Sequence, residues 1–178
     1  MYPLPRKERI LRYLKHEHRS VAFDTVMNYL KFGEEAYLFS SVKCEDLVGK
    51  RILAVDDKFF AVDHGMRRAV VGGTVARDVD HTLESIVYRE FVRRGYDIRI
   101  GRVKEKEVDF VCERGDSRMY VQVAYVMESE ATREREFSAL MAVPDQYPKF
   151  VLTLDRMDFS TGGIVHRRIP DFLLDGSW

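Results

Sequence analysis

Cysteine is scarce in this chain: Cys44 and Cys112 are the only two, and neither lies in a CxxC or Cys/His spacing. We therefore expect neither a disulfide framework nor a zinc motif, and a reducing compartment is the default. Long apolar runs are missing too, and the first residues, MYPLPRKERILRYL, lack an apolar core followed by a small-residue cleavage site. We therefore expect no membrane span, no secretory signal and a cytoplasmic location.

An excess of one charge is also missing, because 29 lysines and arginines balance 29 aspartates and glutamates. Overall charge predicts no class of partner, so any contact with nucleic acid must come from local patches. A GxxxxGK[ST] loop is absent as well. The nearest stretch, VGKR at residues 48–51, has no glycine at the required spacing and no hydroxyl after the lysine. We expect no ATP binding through a P-loop.

Residues 1–75 predict a small winged-helix-like module. A basic amphipathic helix over residues 6–18 precedes a second helix that begins near Asp24, and two extended runs then flank a turn at Gly49. Two helices and a β-ribbon resemble a winged helix, which occurs in DNA-binding modules but also serves protein contacts. The basic face of the first helix suits either solvent or nucleic acid.

Residues 76–178 carry a stronger pattern, after a soft boundary between 72 and 80. A helix that ends before Gly95 is followed by three strands, a helix over residues 130–142 and a strand at 149–154. A further strand and a short helix close the chain. The order α-β-β-β-α-β predicts an α+β protein whose second domain is restriction-endonuclease-like with a mixed sheet.

That order is the core of PD-(D/E)XK nucleases, whose site takes an acid from the first helix, an Asp from the second strand and Glu-x-Lys from the third. Alternate strand residues share a face, so the Glu and the Lys point together at a bound Mg²⁺. Glu84 and Asp109 match the two acids, whereas Gln122 and Ala124 replace the Glu and the Lys. Loss of one charge-stabilising group lowers a rate by about 10²- to 10³-fold, so we predict a non-catalytic or weakly catalytic site.

The alternative is a Mg²⁺- or Mn²⁺-dependent DNA nuclease. Its catalytic residues would be Glu84, Asp109 and Gln122, with Glu84 and Asp109 as metal ligands and Lys106 as substitute lysine. Lys104 and Arg118 are the other candidates for a migrated basic group. A structural explanation stands beside both hypotheses, because the helix dipole favours a carboxylate at Glu84 and Asp109 can pair with Arg118 or Lys106.

Basic residues gather between positions 89 and 106, at the end of a predicted helix and along the next strand. Arg93, Arg94, Arg102 and Lys104 are candidates for a positive strip that contacts nucleic-acid phosphate. No aromatic stacking pattern accompanies them, so a solvated face explains the same residues.

Four stretches resemble, in order, motifs of the domain of unknown function family 4143, the C-terminal region that follows the ATPase module in many prokaryotic AAA+-type ATPases. They are TVMNYLKFGEEAYLF, KFFAVDHGMRRAV, LESIVYREFVRRGYDIRIG and KEVDFVCE. The resemblance covers nearly the whole chain and implies a winged-helix-like part followed by a PD-(D/E)XK-like part, with Glu84 and Asp109 at the family's acidic positions. The QVA at 122–124 is similar to a subgroup without Glu-x-Lys.

The family's P-loop half is absent from this sequence, so ATP hydrolysis is not implied, and we expect a fragment, a truncated relative or a stand-alone tail. The expected function is a nucleic-acid-associated or interaction module. Beside the nuclease, a further hypothesis is an oligomerisation or target-recognition tail for an ATPase partner. The implied partners are DNA, an ATPase module or another protein, and enzyme activity stays an open question on the sequence alone.

Overall fold

A computed structural model describes residues 6–72, 79–176 and Trp178. The helices are α1 Arg6–His16, α2 Phe23–Glu35, α3 His64–Val71, α4 Val79–Arg93, α5 Glu130–Met141 and α6 Ile169–Leu174. The strands are β1 Phe39–Asp46, β2 Arg51–Ala61, β3 Asp97–Val103, β4 Lys106–Arg114, β5 Ser117–Val123, β6 Lys149–Thr153 and β7 Ile164–Arg168. None of the helices in these described ranges combines the length and apolar character that a bilayer span requires.

The strands of the described residues form one mixed sheet, in the order β2-β1-β3-β4-β5-β6-β7. β3, β4 and β5 make an antiparallel meander, whereas the pairs β1–β3, β5–β6 and β6–β7 are parallel. The predicted α+β class is confirmed, and the predicted order α-β-β-β-α-β is found from α4 to β6.

The β1–β2 hairpin belongs to this sheet and does not stand apart as a wing. β1 pairs antiparallel with β2 on one side and parallel with β3 on the other, where Cys44 lies opposite Ile100. The sheet therefore runs across the boundary predicted between residues 72 and 80. Most of that boundary, residues 73–78, lies outside the described residues.

Helices cover both faces of the sheet. On one face, Val87 and Phe91 of α4 pack with Phe110 of β4 and Phe172 of α6. Val87 and Phe91 lie one helical turn apart, so they share the face of α4 that meets the sheet. The opposite face packs against α5, through side chains that include Tyr120, Phe137, Leu140 and Val151.

β4 is bulged close to Asp109. Its pairing with β3 shifts between Arg99–Val111 and Gly101–Val108, so β4 carries one residue more than β3 in this interval. The pairing of β4 with β5 runs only as far as Phe110. A bulge bends its strand and re-aims the side chains beside it. Asp109 consequently lies where β4 separates from β5.

Candidate functional site

Three carboxylates and one ammonium group meet where β4 separates from β5. Lys58 Nζ, from β2, lies 2.7 Å from Glu84 Oε2 on α4. The same nitrogen lies 3.2 Å from Glu107 Oε1 and 3.5 Å from Asp109 Oδ1, both on β4. The Lys58 side chain is only 12% exposed, and Glu84 and Asp109 are buried. We call these four residues the Lys58 cluster.

The packing of neighbouring apolar side chains explains where Glu84 and Lys58 of the cluster lie. Glu84 follows the buried Leu83 on the face of α4 that meets the sheet, so the carboxylate is carried to the sheet with the apolar stripe. Lys58 precedes the buried Phe60 by two residues, and Nζ lies 5.6 Å from the centre of the Phe60 ring. Because residues two apart on a strand point the same way, the Phe60 anchor also directs Lys58 inward.

Burial and ion pairing compete in setting the pKa values of the cluster. Burial raises the pKa of Asp109 to about 7, although the positive charge of Lys58 opposes the rise. Burial also disfavours ionised Glu84, but a hydrogen bond with His81 and the charge of Lys58 outweigh it and lower the Glu84 pKa. Burial disfavours charged Lys58 too, yet the attraction of Asp109, Glu84 and Glu107 raises its pKa. The ion pair of Lys58 and Glu84 thus favours the charged form of both groups.

Gln122 on β5 is turned into the protein and bonded at both ends of its amide. Its Oε1 accepts a hydrogen bond from Asp109 N at 3.3 Å, and its Nε2 donates to Glu136 Oε2 on α5 at 3.1 Å. The Asp109 carboxylate in turn accepts from Val123 N at 2.9 Å. These side-chain bonds close the gap that the strand ladder leaves between β4 and β5. The amide oxygen of Gln122 is therefore committed to the backbone of β4.

Lys58, and not Lys106, brings an ammonium group to Asp109. Lys106 Nζ donates to the carbonyl oxygen of Ser138 at 3.2 Å. Arg118 forms its ion pairs with Glu45 and Glu113. The sequence patterns did not single out Lys58. The available signal was its position as the first residue of KFFAVDHGMRRAV, one of the four family-like stretches.

A cleft of about 430 Å³ lies beside the cluster, between the end of β5 and α5. Glu84, Asp109 and Gln122 all line it, so the structure brings these sequence-predicted residues together, and Ala124 lies in the same wall. The carboxylate residues of the lining are Asp80, Glu84, Glu105, Glu107, Asp109 and Glu136. The basic residues of the lining are Lys106 and Arg135, and Arg135 pairs with Glu136. The cleft is consequently acidic.

The Lys58 cluster does not suit a divalent metal ion. Within the described part of the chain, no group of three or more carboxylate, imidazole or thiol side chains is placed to hold one. Mg²⁺ takes oxygen ligands at about 2.0–2.1 Å in near-octahedral geometry. Here the carboxylates face the nitrogen of Lys58, and the Gln122 oxygen is bonded to Asp109 N. The residues present fit an ammonium group and do not fit Mg²⁺ or Mn²⁺.

The four basic residues predicted to contact phosphate are divided between the two ends of β3. Arg93 and Arg94 close α4 just before β3, whereas Arg102 and Lys104 lie at its far end. The seven residues of β3 separate the two pairs by roughly 20 Å. Arg102 also lies 3.7 Å from a carboxylate oxygen of Glu107. The predicted strip is therefore not continuous.

Arg94 is a structural residue that lies inside the protein. Its side chain is 7% exposed, and its Nε donates to Glu90 Oε1 at 2.7 Å. Its Nη2 donates to the carbonyl oxygen of Phe172 at 2.7 Å. Arg93 shares the partner Glu90 but is 70% exposed. Of this pair, only Arg93 presents its charge to solvent.

Comparison with known proteins relates the chain to part of a bacterial protein. No family model matches it. No solved structure matches it either. An uncharacterized protein of Haemophilus influenzae is 36% identical over 145 residues, which is 82% of this chain and 35% of that protein. The chain is thus similar to part of a longer bacterial protein and spans about a third of its length.

Proposed function

We propose that the chain is a non-catalytic interaction module with a PD-(D/E)XK-nuclease-like fold, related to the C-terminal modules of family 4143. The main support for this proposal is the pair of hydrogen bonds that the Gln122 side chain makes. Where such a nuclease presents a carboxylate to its metal, this chain has an amide bonded to Asp109 N and to Glu136. An amide offers a metal no charge, and this amide oxygen already accepts a hydrogen bond from Asp109 N.

The neighbouring positions support the same conclusion. Ala124, in the place of the nuclease lysine, lines the cleft with no functional group. The two acids that the resemblance assigns to the metal, Glu84 and Asp109, both contact Lys58. The side chains that resemble a catalytic set are therefore used to hold the protein together.

A protein is the partner we propose, rather than DNA. The acidic cleft repels phosphate, because the carboxylates of its lining outnumber its basic groups. Exposed aromatic side chains are present on α2, where Tyr29 and Phe32 lie one turn apart and Tyr37 follows the helix. Aromatic residues of this kind are enriched at protein interfaces. The resemblance makes an ATPase module the first partner to test.

One observation favours a nuclease as the second candidate function. Lys58 lies beside Glu84 and Asp109, so an amine is present at the two acids although it comes from β2 and not from β5. In that case Lys58 would take the part of the lysine that Ala124 replaces.

Plasmid nicking in Mg²⁺ or Mn²⁺ distinguishes the two candidates. The wild type would be compared with Asp109→Asn, Lys58→Met and the matched control Lys106→Met. We expect no metal-dependent nicking by the wild type or by any variant. Nicking by the wild type and Lys106→Met that is lost in Asp109→Asn and Lys58→Met would establish the nuclease and overturn the proposal.

Gel shifts across a salt series test the choice of partner. We expect no DNA shift at physiological salt. A shift that weakens steeply with salt, and that weakens further in Arg102→Gln or Lys104→Gln, would show phosphate contacts and favour DNA.

A further inference from the structure

We infer that the ammonium group of Lys58 is the resident cation of its cluster, in the place that the family resemblance would give to a divalent metal ion. Glu84, Glu107 and Asp109 converge on one nitrogen, at 2.7, 3.2 and 3.5 Å. Carboxylates gathered in a buried place repel one another unless a cation lies between them. The inference goes beyond the proposed function, because it states which cation the cluster is built to hold.

The spacing of the cluster suits an ammonium group. Lys58 Nζ donates hydrogen bonds to Glu107 Oε1 and Asp109 Oδ1, and it forms a close ion pair with Glu84 Oε2. All three N···O distances are ion-pair or hydrogen-bond lengths and exceed the metal–oxygen bonds of Mg²⁺, which are about 2.0–2.1 Å. The nitrogen also faces the ring of Phe60, which adds a cation–π contact.

The folding of the hairpin explains how a residue of β2 reaches β4, although β1 and β3 lie between them in the sheet. β1 pairs with β3 only from Cys44 to Asp46. Phe60 packs against Tyr88 of α4 and Phe110 of β4, with ring centres 4.6 and 5.7 Å apart. The outer half of the hairpin therefore lies over α4 and β4, and Lys58 fastens it there.

Lys58→Met tests the inference, because methionine keeps most of the apolar stem and removes the charge. We expect the variant to melt at a lower temperature than the wild type, since the carboxylates lose their cation. Ammonium chloride should raise the melting temperature of the variant more than sodium chloride at the same concentration does, because the ammonium ion can take the place of the lost Nζ among the carboxylates. Lys106→Met is the matched control and should respond to ammonium chloride as the wild type does.

A second variant covers the possibility that Lys58→Met does not fold. Lys58→Met with Glu84→Gln removes one negative charge together with the positive one, and it should melt above Lys58→Met or fold where that variant does not. Failure of this rescue, or no specific ammonium response from a folded Lys58→Met, would overturn the inference. Tight Mn²⁺ binding by the wild type, measured by electron paramagnetic resonance and lost in Asp109→Asn, would overturn it too. Mn²⁺ binding without plasmid nicking would overturn this inference but leave the proposed function intact. Failure of the inference can therefore be distinguished from failure of the proposed function.

Discussion

Gln122 Nε2 donates a hydrogen bond to Glu136 Oε2 over 3.1 Å and so ties β5 to α5 beneath the acidic cleft. Glu136 is buried, and its other carboxylate oxygen accepts two hydrogen bonds from Arg135. An amide at position 122 supplies the donor that this buried carboxylate needs, which a glutamate there would lack. Gln122 thus has a structural role, because its amide satisfies Glu136.

Gln122→Glu is expected to destabilise the protein. The new carboxylate would face Glu136 and would also compete with it for the same few donors, so we expect the free energy of unfolding to fall by about 2 kcal/mol. Urea unfolding at pH 7.5 measures the change. The double variant Gln122→Glu, Glu136→Gln restores one donor between the two side chains and should recover most of the loss. A fully stable single variant would contradict the importance of this contact.

Arg94 and Arg93 share the partner Glu90 but differ in burial, which makes them a matched pair. Arg94→Met leaves the carbonyl oxygen of Phe172 without its donor and removes the buried charge beside Glu90. We expect a loss of about 3 kcal/mol in the free energy of unfolding. Arg93→Met should change it by no more than about 0.5 kcal/mol, because an exposed ion pair contributes little. Equal effects in urea unfolding would show that Arg94 does not anchor α6.

His166 links β6 and β7 in a way that depends on its protonation. Its Nε2 lies 2.8 Å from Thr153 Oγ1, and its Nδ1 accepts a hydrogen bond from Phe159 N at 3.3 Å. Burial lowers the pKa of His166 from its ordinary value of 6.5, although Asp155 and Asp158 oppose the shift. The folded protein therefore binds a proton at this site less readily than the unfolded chain does.

A lowered histidine pKa gives stability that is present above pH 6.5 and is lost as the pH falls through the folded value. We expect the wild type to lose free energy of unfolding relative to His166→Gln as the pH decreases below 6.5. Urea unfolding of both proteins over a pH series measures this, because the other titrating groups are common to both and cancel. A constant difference between the two proteins would show that His166 is not held neutral.

Local sequence patterns are sufficient to predict most helices and strands of the fold. The stripe of Leu83, Val87 and Phe91 predicted α4, and the turn at Gly49 predicted the β1–β2 hairpin. The short parallel pairing of β1 with β3 was not predicted, because it joins residues more than fifty positions apart and leaves no periodic signal in either strand. The sequence pattern alone therefore favours a wing, whereas in the structure the hairpin is part of the central sheet.

The sequence predicts the part of the candidate site that lies on α4, β4 and β5, but not the part that comes from β2. Glu84, Asp109 and Gln122 line one cleft, because element order alone places them at the same end of the sheet. Lys58 was missed because it arrives through the fold of the hairpin. The clustering of basic residues places Arg94 with a charged surface, because composition does not distinguish a buried arginine from an exposed one.

Tyr37 adopts a left-handed backbone conformation, with φ at 56°, directly after α2. Its amide donates to Glu34 O, and the amide of Leu38 donates to Gly33 O, which is the hydrogen-bond pattern of a Schellman motif. Glycine is the usual residue at this position, because a side chain in the left-handed region is strained. Tyr37 is also 79% exposed, so its side chain gains little from packing.

We therefore expect Tyr37→Gly to raise the free energy of unfolding by about 0.5–1 kcal/mol, since the relief of strain exceeds the extra freedom of glycine in the unfolded chain. Tyr37→Ala removes the same ring but keeps a Cβ in the strained conformation, so it should not be stabilised. Urea unfolding of the three proteins separates the two effects. A less stable Tyr37→Gly would mean that the ring packs in solution. A stabilised Tyr37→Gly that no longer binds a partner of the wild type would show that this exposed tyrosine is retained for contact at the cost of stability.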